Sequence, residues 1–125
     1  MNKKEEIKVF FRDKGYDLRK TKGFSDDAEV ILKALCKQDA LNVLELYYRL
    51  EITVLGGDVL CLNDDGTIHY VSDGWYSDPI EGENEKEYFL RSIDESRRYI
   101  TNYTHPFINS SSILFDIVTN CQDIQ

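Results

Sequence analysis

The stretch from Val54 to Ser72, VLGGDVLCLNDDGTIHYVS, constrains the fold of this chain more than any other. Two runs rich in Val, Leu, Ile and Tyr flank Asn63-Asp64-Asp65-Gly66. Asn, Asp and Gly tolerate left-handed backbone dihedrals, so this spacing predicts a β-hairpin over about 53–72. Paired glycines inside its first strand, Gly56 and Gly57, predict a bulge or a close backbone approach. A hairpin alone is marginal in water and needs a partner for its apolar face.

The rest of the chain supplies that partner as helices. Residues 3–14 fit a short helix with Ile7, Phe10 and Phe11 on one side, or an edge strand through Ile7–Phe10; periodicity leaves both open. Ser25 can cap a helix whose first turn carries Asp26 and Asp27, with Ala28, Ile31, Leu32 and Leu35 at helical spacing. Asp39 restarts or caps the next stretch, where Leu41, Leu44 and Tyr48 form one stripe and Val43, Tyr47 and Leu50 another. Asn84 with Glu87 reads as a capping box. It opens a helix over 85–103 with Phe89, Ile93, Ser96, Ile100 and Tyr103 on one face and Glu87–Arg91 and Asp94–Arg98 pairs on the other. His105-Pro106 ends it, and Ile113–Val118 reads as a last strand. The expected fold is therefore α+β: a single domain spanning 1–125 with a mixed or largely antiparallel sheet. The hairpin 53–72 and a C-terminal strand 112–118 form that sheet, packed by helices about 26–50 and 85–103.

Composition narrows the function. The 125 residues carry a net charge of −8. Such a surface repels nucleic-acid phosphates and anionic lipid, and attracts a basic partner. Cys36, Cys61 and Cys121 are too scattered for a disulfide framework or a zinc site. Cys36 and Cys61 sit among apolar residues and read as core side chains. With no signal-like N-terminus and no apolar run of membrane-spanning length, the expectation is a cytoplasmic protein, monomeric or weakly dimeric.

Candidate chemistry is sparse. His69 and His105 have no visible nucleophile beside them and read as structural. Asp58, Asp64, Asp65, Asp73 and Asp78 are possible metal ligands, but the turn explains Asn63–Gly66 without an ion, since no closing glutamate follows at calcium-loop spacing. Asp58, beside two glycines, reads as a residue that fixes a bulge. No metal and no cofactor are expected. A small metal-dependent hydrolase using Asp58, Asp73 and His69 is one alternative; a regulatory protein-binding module is another. The segment Asp73–Gly82 reads as a loop holding the only tryptophan, Trp75, beside Tyr76. Trp75 is either a plug over the sheet or an interface anchor. Asp73, Trp75, Tyr76, Asp78, Glu81 and Glu83 are thus the candidate partner-binding residues.

The strand VLGGDVLCL, the following GTIHYVSDGWYSDP and the helix EYFLRSIDESRRYITNY together resemble the immunity protein 40 family of bacterial polymorphic-toxin systems. The resemblance covers about residues 40–118 and rests on Gly56, Gly57, Asp58 and Val59; Trp75; Arg91 and Ser92; and Tyr99, Ile100 and Tyr103. It implies an antitoxin, not an enzyme, that binds the C-terminal domain of a cognate toxin, as in contact-dependent growth inhibition. Many such toxins are nucleases with basic clefts, which an acidic protein can occupy.

Overall fold

The computed structural model describes residues 2–18 and 33–120. In chain order these form helix α1 (Lys3–Arg12), strands β1 (Tyr16–Asp17) and β2 (Lys33–Ala34), helix α2 (Lys37–Arg49), strands β3 (Val54–Leu62) and β4 (Ile68–Tyr76), helix α3 (Glu85–Asn102) and strand β5 (Ile113–Thr119). The main sheet has the order β4-β3-β5 and is antiparallel throughout. The fold is α+β, as the hairpin and the amphipathic stretches require.

The N-terminal segment is a helix and not an edge strand. Asn2 Oδ1 accepts from the Glu5 backbone N–H at 2.8 Å, and Ile7 and Phe11, four apart, are both buried. Its end is held from a distance: Lys33 Nζ donates to the carbonyls of Phe11 (2.7 Å) and Lys14 (3.1 Å).

The helix expected from about residue 26 departs from expectation. Within the described residues it begins only at Lys37. Lys33–Ala34 pair with Tyr16–Asp17, and Leu35 exchanges two 2.8 Å backbone hydrogen bonds with Phe115 of β5. Leu35 does have helical spacing with its neighbours, but its backbone is taken by a strand 80 positions further on, a contact that periodicity cannot register. The cap at Ser25 and the positions up to Leu32 lie outside the described residues, as does Cys121. Cys36 is exposed rather than in the core and occupies the N-cap position of α2 without bonding through its side chain.

Helix α3 begins with the full Asn84–Glu87 capping box and buries Phe89, Ser92, Ile93, Ser96 and Ile100. The main core lies between α2, α3 and one face of the sheet, where Val43, Leu44, Tyr47, Ile93 and Ile100 meet Val54, Val59, Trp75 and Phe115. Among the described residues the opposite face is covered at one end, where Leu18 and Ala34 pack on Leu60 and Leu114. Strand alternation assigns these two sets to opposite sides.

Helix and sheet are joined by hydroxyls as well as by apolar contact. The Ser92 hydroxyl accepts from the Val54 backbone N–H at 3.1 Å and donates to the Phe89 carbonyl at 2.8 Å, all of it buried. Ser92→Ala removes the acceptor of a buried N–H, and we expect it to cost about 1–3 kcal/mol in urea denaturation. An unchanged midpoint would mean that Val54 finds another partner.

Candidate partner-binding face

Trp75 belongs to β4, not to a loop: the strand continues through Tyr76, past the Asp73 where it was expected to end. Its ring faces inward and is 7% exposed. The indole N–H donates to Ser96 Oγ at 2.9 Å, and the ring stacks on Tyr99 with centroids 4.8 Å apart. Ser96 in turn donates to the Ser92 carbonyl at 2.7 Å. Gly57 lies directly under the indole, and a Cβ there would run into the ring and into the Asp116 carbonyl. The glycines thus mark a close approach, as expected, and its occupant is Trp75. Trp75 is therefore a plug that fixes α3 on the hairpin, and its ring is not available as an interface anchor in this fold.

Asp73 and Glu83 are likewise tied inward. Asp73 Oδ2 accepts from the Tyr103 hydroxyl at 2.6 Å, which fastens β4 to the end of α3 and, with burial as the first cause, raises the Tyr103 pKa. Glu83 takes a two-pronged contact from Arg91, Nε to Oε2 at 2.7 Å and Nη2 to Oε1 at 2.8 Å. That guanidinium also reaches Glu95 at 2.6 Å and the Asp78 carbonyl at 2.6 Å. Arg91 therefore shapes the connection between β4 and α3, and its hydrogen bond holds the Glu83 carboxyl below its ordinary pKa. The expected Glu87–Arg91 pair does not form, because Glu87 is spent on the cap; Asp94–Arg98 does, at 3.1 Å. Of the six candidate residues, Tyr76, Asp78 and Glu81 present exposed side chains without an inward tie. Tyr76 is 85% exposed.

Tyr76 also belongs to a surface that reading along the chain does not reveal. The uncovered end of the second sheet face carries Leu55, Tyr70, Tyr76 and Val118, all exposed. Between it and the covered patch, Asp58 of β3 stands directly opposite Asp116 of β5. The two carboxyl groups share a hydrogen bond, and Asp116 is the more enclosed. Burial pushes the Asp116 pKa up to about 7, with the negative charge of Asp58 adding to it. Burial raises Asp58 as well. Asp116 therefore holds its proton below about pH 7 and gives it up above. Tyr70 beside it is pushed up to about 12 by burial and by both acids, and stays neutral.

On the other side of Asp58 the partner position in β4 is Gly74, which has no side chain to cover it. The register slips between Asp58 and Leu60 on β3, and Ser72 on the facing strand has φ 71°. The outcome is a depression of about 360 Å³ lined by Asp58, Tyr70, Ser72, Asp73, Gly74 and Tyr76. A hollow of about 140 Å³ between Leu55, Asp58, Tyr76 and Val118 adjoins it.

Asp58 is thus more than a bulge-fixing residue. Asp116 lies within an apolar strand, and the lone acid inside ILFDIV is the signal that the sequence offers for it. His69 is opposite Cys61, away from the depression, so the three residues of the hydrolase alternative are not gathered. His105 Nδ1 accepts from the Phe107 N–H at 3.1 Å. The Asn63–Gly66 turn closes on itself, with Gly66 N–H to Asn63 O at 3.0 Å and Thr67 N–H to Asp65 at 3.0 Å. Among the described residues no three His, Cys, Asp or Glu side chains gather in a way that could hold a metal ion. Among them also, no helix is long and apolar enough to cross a membrane.

The family model for immunity protein 40 matches residues 28–119, and the chain belongs to that family. Membership gives it an antitoxin role exercised on a protein partner, the cognate toxin. No curated protein and no solved structure matches the chain. Five of the residues that carry the resemblance in sequence meet in the staple just described: Gly57 lies beneath Trp75, Trp75 stacks on Tyr99, Ser92 bonds β3, and Arg91 holds the preceding loop.

Proposed function

We propose that this chain binds and neutralises the C-terminal toxin domain of a contact-dependent growth inhibition system, as a cytoplasmic protein in a one-to-one complex. The toxin domain has a basic active-site cleft of the kind a nuclease needs for a phosphate backbone. Membership of an immunity family supports the class of function, and the net charge of −8 supports the basic partner. The observation that carries the surface is the uncovered sheet face with Tyr76 at its rim, continuous with Asp78 and Glu81 on the loop that follows. It combines exposed aromatics with unpaired acids on a rigid scaffold, the composition that protein interfaces favour. The mechanism asks no bond-making of this chain; it excludes the toxin's substrate by occupying the toxin's surface.

The test is co-purification with the toxin domain encoded directly upstream, followed by assay of the toxin's activity. A stoichiometric complex and loss of that activity are expected. The association rate should fall by roughly tenfold or more between low and high salt, since opposite charges steer the encounter. A toxin left fully active by excess of this chain would end the proposal.

A further inference from the structure

We propose that the Asp58–Asp116 pair is a socket for one arginine guanidinium of the bound toxin domain, with the rings of Tyr70 and Tyr76 as its walls. This rests on the reading above that the chain binds a toxin domain, and it says where and by what chemistry.

The geometry is that of a receptor with one place to fill. Asp58 and Asp116 stand opposite each other on adjacent strands, at the border between covered Leu60–Leu114 and exposed Leu55 and Val118. Gly74 leaves the space above Asp58 open, while Tyr70 and Tyr76, to either side of that glycine along β4, are 40% and 85% exposed. The Asp58 carboxyl lines the depression and accepts the forked N–H groups of a guanidinium, the more enclosed Asp116 beside it adds negative charge, and flanking aromatic faces favour the planar cation. An ammonium has neither the fork nor the plane.

The charges facing the pair point the same way. Asp58 comes from β3 and Asp116 from β5; from β4 come Tyr70, neutral, and Asp73, which lines the same depression and is held by Tyr103. The helices pack against the other face. Among the described residues no lysine, arginine or histidine forms a salt bridge with either acid. The free protein relieves the repulsion with a proton, and a guanidinium takes the place of that proton. Binding therefore releases it wherever the free pair is protonated, and affinity rises with pH up to about 7 and levels off above.

The experiment is titration calorimetry of the full chain with the upstream-encoded toxin domain, at several values between pH 5.5 and 8, in two buffers of different ionisation heat. Wild type should release close to one proton per complex at the acid end and almost none at pH 8. Its affinity should climb by up to about tenfold per pH unit below 7. Asp116→Asn and Asp58→Asn, checked as folded by circular dichroism, should each bind at least about tenfold more weakly at pH 8, and Asp116→Asn, which removes the titrating group, should lose the proton release. Tyr76→Ala, at a position with no role in the core, should weaken binding without altering the proton count. Wild-type binding without proton release, or variants that bind as tightly as wild type, would overturn the socket while the antitoxin reading stands. Failure of the wild type to bind takes both down. A dimer of the isolated chain that dissociates in the aspartate variants would assign this face to a second copy instead, and also overturns the socket.

Discussion

Gly57→Ala will cost this fold about 3 kcal/mol or more, a large part of the stability of an ordinary domain. The added methyl has nowhere to go. On one side it meets the Asp116 carbonyl, which is pinned in the β3–β5 ladder. On the other it meets the indole of Trp75, which is fixed by its 2.9 Å bond to Ser96 and by the stack on Tyr99. Moving the ring gives up both contacts, and moving the strand breaks its ladder. Urea denaturation measures the loss, and Gly66→Ala is the control. Gly66, unlike Gly57, has positive φ, 87°, but a Cβ there meets nothing within 4 Å, so only backbone strain of about 1–2 kcal/mol remains. Combining Gly57→Ala with Trp75→Leu should recover part of the loss, because the methyl and the indole compete for one space. If Gly57→Ala unfolds at the wild-type urea concentration, the indole does not lie over Gly57.

Asp116→Asn, by contrast, will stabilise the isolated protein at neutral and alkaline pH. Asp116 titrates near 7 in the fold against 3.8 as an unperturbed carboxyl. An acid whose pKa rises on folding contributes its full stability below its unfolded value. That contribution is lost as pH climbs from about 4 to 7, and the loss levels off above. The full shift has an upper bound of about 4 kcal/mol, and the part of the side chain that reaches water screens it to about 1–3 kcal/mol. Asparagine does not titrate, and its amide can donate to the Asp58 carboxylate. The variant should therefore match wild type at pH 4 and exceed it at pH 8 by about 1–2 kcal/mol, several degrees in Tm. Comparing the two proteins across pH cancels the contribution of the carboxyls that do not touch Asp116, and leaves that of the coupled Asp58–Asp116 pair. A stability difference that does not change with pH would show that Asp116 ionises as freely in the folded state as in the unfolded chain. The same substitution is expected to weaken toxin binding, so the residue trades stability for a contact, as functional positions often do.

What could be read in sequence was what is local. The hairpin at Asn63–Gly66 and the helix behind the Asn84–Glu87 box are set by residues within a few positions of one another, and both stand where their signals put them. What could not be read was what is made across strands. β4 passes through the Asp73-Gly74 break because Gly74 faces Asp58 and Trp75 faces Gly57, a complementarity between strands that neither displays alone. Leu35 is extended because Phe115 is there to pair with it. The candidate site divides the same way. Tyr76, Asp78 and Glu81 are exposed, as a polar turn-rich segment suggests, whereas Asp73 and Glu83 have distant partners in Tyr103 and Arg91. The acid pair needed the β3–β5 register, since Asp58 and Asp116 lie 58 positions apart in the chain.

The alternation of β3 and β5 has one more consequence. Val59 and Phe115 point toward the helices, while their neighbours Asp58 and Asp116 point away, so adjacent letters of one strand answer to different demands. Side chains that govern folding and side chains proposed to meet the toxin are interleaved yet separated by the thickness of a single backbone layer. If this face meets the toxin as proposed, its exposed positions, Leu55, Tyr70, Tyr76 and Val118, are the ones that can be rewritten with the helix-facing core left as it was.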